Sequence, residues 1–286
     1  MERKYKITNE KTTINGIVLH RIQALEDFDD VEKGDLGGFI EKESNLSQAG
    51  NCWVFADAKV YGNAKVWGNA SICNNSQVYG NAIVYDDAIL FENSQVYGFS
   101  EISGNATING SSQVYDHAQV FGDARIYRNV KVFGYATVSG DVKVYDNTQV
   151  FDHATVSGTG SIYGNAKIFG RTRINGVCSV GEDANISSTN DYITIGPTGS
   201  RDDFTTAYRT SNGDVRIQCG CYNGTIDEFK NRVHAVYYHR LSNVPYYKTY
   251  MDVISFIDKW ADKTPEKTRG IKGKLKSLFK RKKGEN

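Results

Sequence analysis

The chain has 286 residues, 40% of them hydrophobic, and 34 Lys and Arg against 33 Asp and Glu give a net charge of +1. That length allows one or two domains, and the absence of an apolar run of about eighteen residues excludes a membrane-spanning helix. The charge is uneven: Lys267 to Lys283 hold nine basic residues and no acid, leaving 25 basic against 33 acidic residues elsewhere. The body is acidic and the end is basic.

Met1-Glu2-Arg3-Lys4-Tyr5-Lys6 has no apolar segment behind its charges, so no secretion signal is read and a cytoplasmic location is expected. Residues 1–37 read as a small β cap: Lys4 to Thr8, a turn at Asn15-Gly16, then Ile17 to Ile22. A coil of parallel strands exposes backbone and core at its ends, and such ends need covers.

Residues 38–190 are a repeat of period six. Every sixth position from Val54 to Ile186 is Val, Ile or Leu, twenty-three in succession, and two residues earlier stands a short side chain, usually Ala, Ser or Thr. In a strand these two positions share a face, so both point inward while the residue between them points out. Gly-Asn, Asp-Asp, Gly-Asp or Asp-His follow, types that accept the left-handed backbone of a corner.

Hexads of this kind predict a mainly β protein, a parallel β-helix with three flat sides. The repeat starts at Ile40 and Leu46, with Gly38 and Ser44 as their small inward partners, and a two-residue insertion precedes Val54. About eight coils result, ~40 Å long at ~4.8 Å per coil.

Sorting the outward residues by side singles out one side. Tyr61, Tyr79, Tyr97, Tyr115, Phe133, Phe151 and Phe169 recur every eighteen residues, flanked by Gln77, Gln95, Gln113, Lys131, Gln149 and Lys167. Such a ladder stabilises its coils, forms an interface, or borders a ligand groove in which rings and amides meet a nucleobase. The other two sides are mixed.

Residues 191–262 read as an α+β module. Strands are expected over Tyr192 to Gly196, Phe204 to Arg209 and Val215 to Cys219. Thr225-Ile226-Asp227-Glu228 is a capping box ahead of one helix, and Pro245 opens a second. Of five cysteines, Cys52 and Cys178 fall on inward positions and Cys73 on an outward one; Cys219-Gly220-Cys221 lacks the second pair a zinc site needs, so no metal is expected. Residues 263–286 are a basic tail, read as flexible, with nucleic acid or a membrane surface as its alternative contacts.

The lead-in Leu19-His20-Arg21-Ile22-Gln23-Ala24-Leu25, Gly37-Gly38-Phe39-Ile40 and Asn45-Leu46-Ser47-Gln48-Ala49-Gly50-Asn51-Cys52-Trp53-Val54 resembles phage, prophage and enterobacterial hexapeptide-repeat proteins, which are commonly labelled transferases. The module, with Ile193-Thr194-Ile195-Gly196-Pro197 and Cys219-Gly220-Cys221, resembles a C-terminal module of other phage-encoded repeat proteins. The resemblance implies a left-handed coil in an infected or lysogenic host; the aromatic side is expected to form part of a homotrimer interface, since three prisms packed side by side bury it.

Two functions are then expected. The first is a non-catalytic binding or assembly protein, in its sharpest form one that sequesters a small nucleotide-type host signal beside the ladder in an anti-defence role, with no cofactor. The alternative is an acyltransferase using acetyl-CoA or another acyl-CoA, with His117 or His153 as base, since hexapeptide-repeat acyltransferases place a catalytic His at a groove between prisms. The repeat throws out no loop to close such a site.

Overall fold

The computed structural model describes residues 3–238 and 244–262, and the chain falls into two compact units, Met1–Thr189 and Asn190 onward. The basic tail lies outside the described residues. Among those described, no helix is long and apolar enough to cross a membrane.

The first unit is a parallel β-solenoid. Chain direction carries it round three faces in turn: Phe39-Ile40 pairs with Lys59-Val60 on the first, Leu46 bridges to Val66 on the second, and Trp53-Val54 pairs with Ser71-Ile72 on the third. Residues eighteen apart are then neighbours, as in Gln77, Gln95, Gln113 and Lys131. Most strands are only two residues long because the corner takes the other four.

Strand pattern dictates the core. All twenty-three aliphatic positions from Val54 to Ile186 are buried, and the Ala, Ser and Thr before them are buried too. A polar inward hydroxyl needs a partner in that interior. Ser76, Ser100, Thr148 and Thr172 find one in the carbonyl three residues back, at 2.6–2.8 Å.

The corners are tied along the axis. Asp86, Asp116, Asp146 and Asp152 sit at positive φ, and each carboxylate accepts the N–H of the residue eighteen further on, at 3.1–3.2 Å. Beside them run amide steps such as Asn129 to Asn147 to Asn165.

Strands Tyr5–Ile14 and Ile17–Ala24 form an antiparallel hairpin that continues through Leu36–Ile40 into the first face, making it an eleven-stranded sheet. Its Leu19 packs with Phe39 and Tyr61. Buried Lys4 donates to the carbonyls of Gly50 and Cys52 at 2.9 and 2.8 Å, satisfying backbone of the coil's open end. Desolvation lowers the pKa of that ammonium.

One inward assignment is corrected here. Ser44 is exposed and Asn45 is buried, because Glu43–Asn45 is a 3₁₀ turn that shifts the strand alternation by one residue. The Asn45 amide then donates to Gly62 and Ala64 carbonyls at 3.1 and 2.9 Å.

The second unit is a four-stranded antiparallel sheet with helices α1 (Ile226–Tyr237) and α2 (Val244–Asp262). Thr225 caps α1, its Oγ1 accepting from Glu228 N at 3.2 Å while Glu228 Oε2 accepts from Thr225 N at 2.8 Å. Ala207 and Ile217 of the sheet pack with Phe229 and Val233 of α1 and with Tyr250, Val253, Ile254 and Ile257 of α2. The fourth strand, Tyr222–Thr225, lies beyond the three read from sequence. It makes Cys219-Gly220-Cys221 a hairpin end, with Cys219 opposite Tyr222. All five thiols are free, and no metal-holding cluster occurs among the described residues.

Candidate functional site: two aromatic columns on one edge

The seven rings from Tyr61 to Phe169 form one continuous stack on the first face. Successive centroids are 4.8–5.1 Å apart and the rings lie within 5° of parallel. The strand spacing sets that distance, and the pairing of Val60, Val78, Val96 and their successors holds the register.

Tyr61 is 6% exposed under Leu19 and Phe39, while the others are half-buried. The flanking amides serve the coil: Gln77 Oε1 accepts from the Tyr61 hydroxyl at 3.3 Å, and Gln113 donates to Gln95 at 3.5 Å. Gln149 is half-buried, and Lys131 and Lys167 are exposed.

His117 and His153 do share an edge, two coils apart, but the structure adds what lies between them. Phe99, His117, Tyr135 and His153 are a second stack, with centroids 5.0, 4.8 and 5.1 Å apart and planes within 6°. It stands two residues round the corner from Tyr97, Tyr115, Phe133 and Phe151. Phe99 is 61% exposed and Tyr135 57%.

The surroundings of both imidazoles are those of stacked rings at a corner. A catalytic imidazole is held by an acid that orients it. The adjacent Asp116 and Asp152 instead accept backbone N–H groups of Gly134 and Gly170, at 3.2 and 3.1 Å. Both faces of His117 are covered by rings, which leaves only its ring edge open.

The rings are also too close to admit a ligand between them. A planar molecule needs about 7 Å between the planes that sandwich it, twice a van der Waals contact. Centroid spacings near 5 Å leave only ring edges available along both columns.

Burial shifts the ladder phenols. The Tyr79 hydroxyl is pushed up to about 12, by desolvation first and by Tyr97 and Tyr61 second, and burial raises Tyr61, Tyr97 and Tyr115 as well. The folded coil therefore keeps protons that unfolded tyrosines release near pH 10. Stability from this source is whole below pH 10 and declines as pH rises from 10 towards 12. A tyrosinate absorbance titration of the native protein is expected to show a late component that Tyr79→Phe diminishes; ionisation of every tyrosine near pH 10 in the folded state would contradict it.

Comparison with known proteins places the coil. Residues 76–92 and 102–116 match the model described as the YdcK β-solenoid repeat. The chain is 38% identical over 61 residues to a protein of Escherichia coli (strain K12) named "Uncharacterized acetyltransferase YdcK", a match covering 18% of this chain and 19% of that relative. The chain thus spans about a fifth of the length of the curated relative it matches. In sequence and in fold, the middle of the coil is similar to the YdcK β-solenoid repeat and to hexapeptide-repeat proteins labelled transferases.

Proposed function

We propose that this protein is a non-catalytic binding and assembly protein whose coil associates side by side with two further copies along the paired aromatic columns. The observation that carries it is the outer column. Rings at Phe99 and Tyr135 stand open beside a second, half-buried row of rings. Continuous apolar strips of this kind are seldom left bare on a monomer, and ring edges that admit no intercalated ligand are well suited to packing against another prism. The threefold packing is what would bury both columns, and the phage or prophage setting comes with the resemblance of the lead-in.

Light scattering tests this. The wild-type chain is expected to run as a trimer and the Phe99→Asp/Tyr135→Asp double variant as a folded monomer with native far-ultraviolet circular dichroism, since both side chains are exposed on the single chain; its melting temperature falls only by what association contributes. A monomeric wild type, or a variant that stays trimeric, overturns the proposal.

A second reading, acyl-CoA-dependent transfer, is favoured by the printed name of the Escherichia coli relative. Turnover of acetyl-CoA that is lost in a His117→Ala/His153→Ala variant would establish it in place of the first.

A further inference from the structure

Because interior rings have no free face, a planar ligand can stack only where a column ends in open space. Two of the ends are closed. Tyr61 is roofed by Leu19 and Phe39, and the last ring of the Tyr127, Tyr145 and Tyr163 stack lies on the Gly181 backbone, where a Cβ would come within 2.2 Å of the Tyr163 ring.

Trp67 on the second face is different. One side of its indole stacks on Tyr85 at 4.3 Å and 4°. On the other side the preceding coil places Ser47, whose N–H donates to Val66 O at 2.9 Å and so stands opposite Trp67. Ser47 brings no ring. The 3₁₀ turn at Glu43–Asn45 and the inserted corner residues carry the chain around that space, leaving an open groove of about 410 Å³ bordered by Glu43, Ser44, Leu46, Ser47, Gln48, Lys65, Val66 and Trp67. Trp67 is 44% exposed there.

The wall chemistry is specific. An indole face takes a heteroaromatic ring, Glu43 accepts from ring N–H or exocyclic amine donors, the serine hydroxyls serve either way, and the exposed Lys65 ammonium takes an anion. Glu43 Oε1 accepts from Arg3 Nη1 at 2.9 Å in an exposed ion pair at the groove's rim.

We propose that this groove binds a purine nucleotide, its base stacked on the open face of Trp67 and its phosphate on Lys65. The proposal rests on the non-catalytic binding reading and not on association of the coils. It moves the expected ligand from the grooves beside the Tyr61 to Phe169 ladder to the end of the shorter Trp67 and Tyr85 stack.

Titration of the full-length protein with GMP and with AMP, followed by calorimetry and tryptophan fluorescence, is the test. At least one is expected to bind saturably below 1 mM (on the order of typical weak sites), with Trp67→Ala weakening it roughly five- to a hundredfold. Trp67→Phe should retain most of the affinity, and Lys65→Glu should weaken the nucleotide several-fold more than the nucleoside. The melting temperature of each variant is measured alongside, so that loss of fold is not read as loss of a site.

Binding of neither mononucleotide, binding indifferent to Trp67→Ala, or binding of acetyl-CoA alone overturns the proposal. The Phe99→Asp/Tyr135→Asp variant separates the two readings: a monomeric variant that still binds, from a trimeric wild type, supports both. A wild type that is itself monomeric yet binds refutes only the assembly reading.

Discussion

Val114→Asp is expected to lose about 4–6 kcal/mol of stability, while the same change at the adjacent Gln113 stays within about 1 kcal/mol. Val114 is wholly buried, with Val96 and Val132 in register above and below it. A carboxylate there forfeits the transfer energy of the valine and finds no cation in an interior of aliphatic side chains, alanines and small hydroxyls. Gln113 belongs to the same strand but points out and is half-buried among Gln95 and Lys131.

Chemical denaturation followed by far-ultraviolet circular dichroism distinguishes the two variants. Equal losses, or a loss at Val114 below about 1.5 kcal/mol, would mean that the inward assignment is wrong. A break at this point falls in the middle of the coil, and in a solenoid each coil is supported only by its neighbours. Flanking coils should then show faster amide exchange than the first coil under the hairpin.

The prism was legible because its signal is redundant: one aliphatic position repeats twenty-three times, and any few could be replaced without hiding the period. Single departures were not legible. Asn45 replaces Ser44 inside the coil through one 3₁₀ turn, and nothing in a six-residue period reveals a shift of a single residue at its start. The fourth strand of the second unit was hidden by its shortness, four residues behind a two-residue turn.

The site shows the same division. The inner ladder followed from sorting outward residues by side, and the outer one would have followed from sorting corners in the same way, since 99, 117, 135 and 153 are eighteen apart. What sequence could not supply was distance. Only the 5 Å ring spacing shows that His117 is a ladder step and that the rings are closed to intercalation.

Gly160→Ala is expected to lose about 3 kcal/mol or more, against roughly 1–2 kcal/mol for Gly176→Ala. Gly160 occupies an inward position where the next coil has Cys178, directly paired with it, and its φ is +147°. A Cβ at that φ would lie 2.0 Å from the Cys178 carbonyl oxygen and 2.9 Å from its nitrogen. Both atoms are backbone in the adjoining strand, so no rotamer change relieves the clash and the coils must part.

Gly176 also has positive φ, +80°, but a Cβ there meets nothing within 4 Å, so only the backbone preference is lost. Equal melting temperatures for the two variants would show that the strand around Gly160 can shift to accept a side chain. The damage should also stay local. The coils from Thr159 onward are separated from Trp67 by several intact turns, so Gly160→Ala is expected to leave nucleotide affinity at the first turns unchanged while the last coils fray.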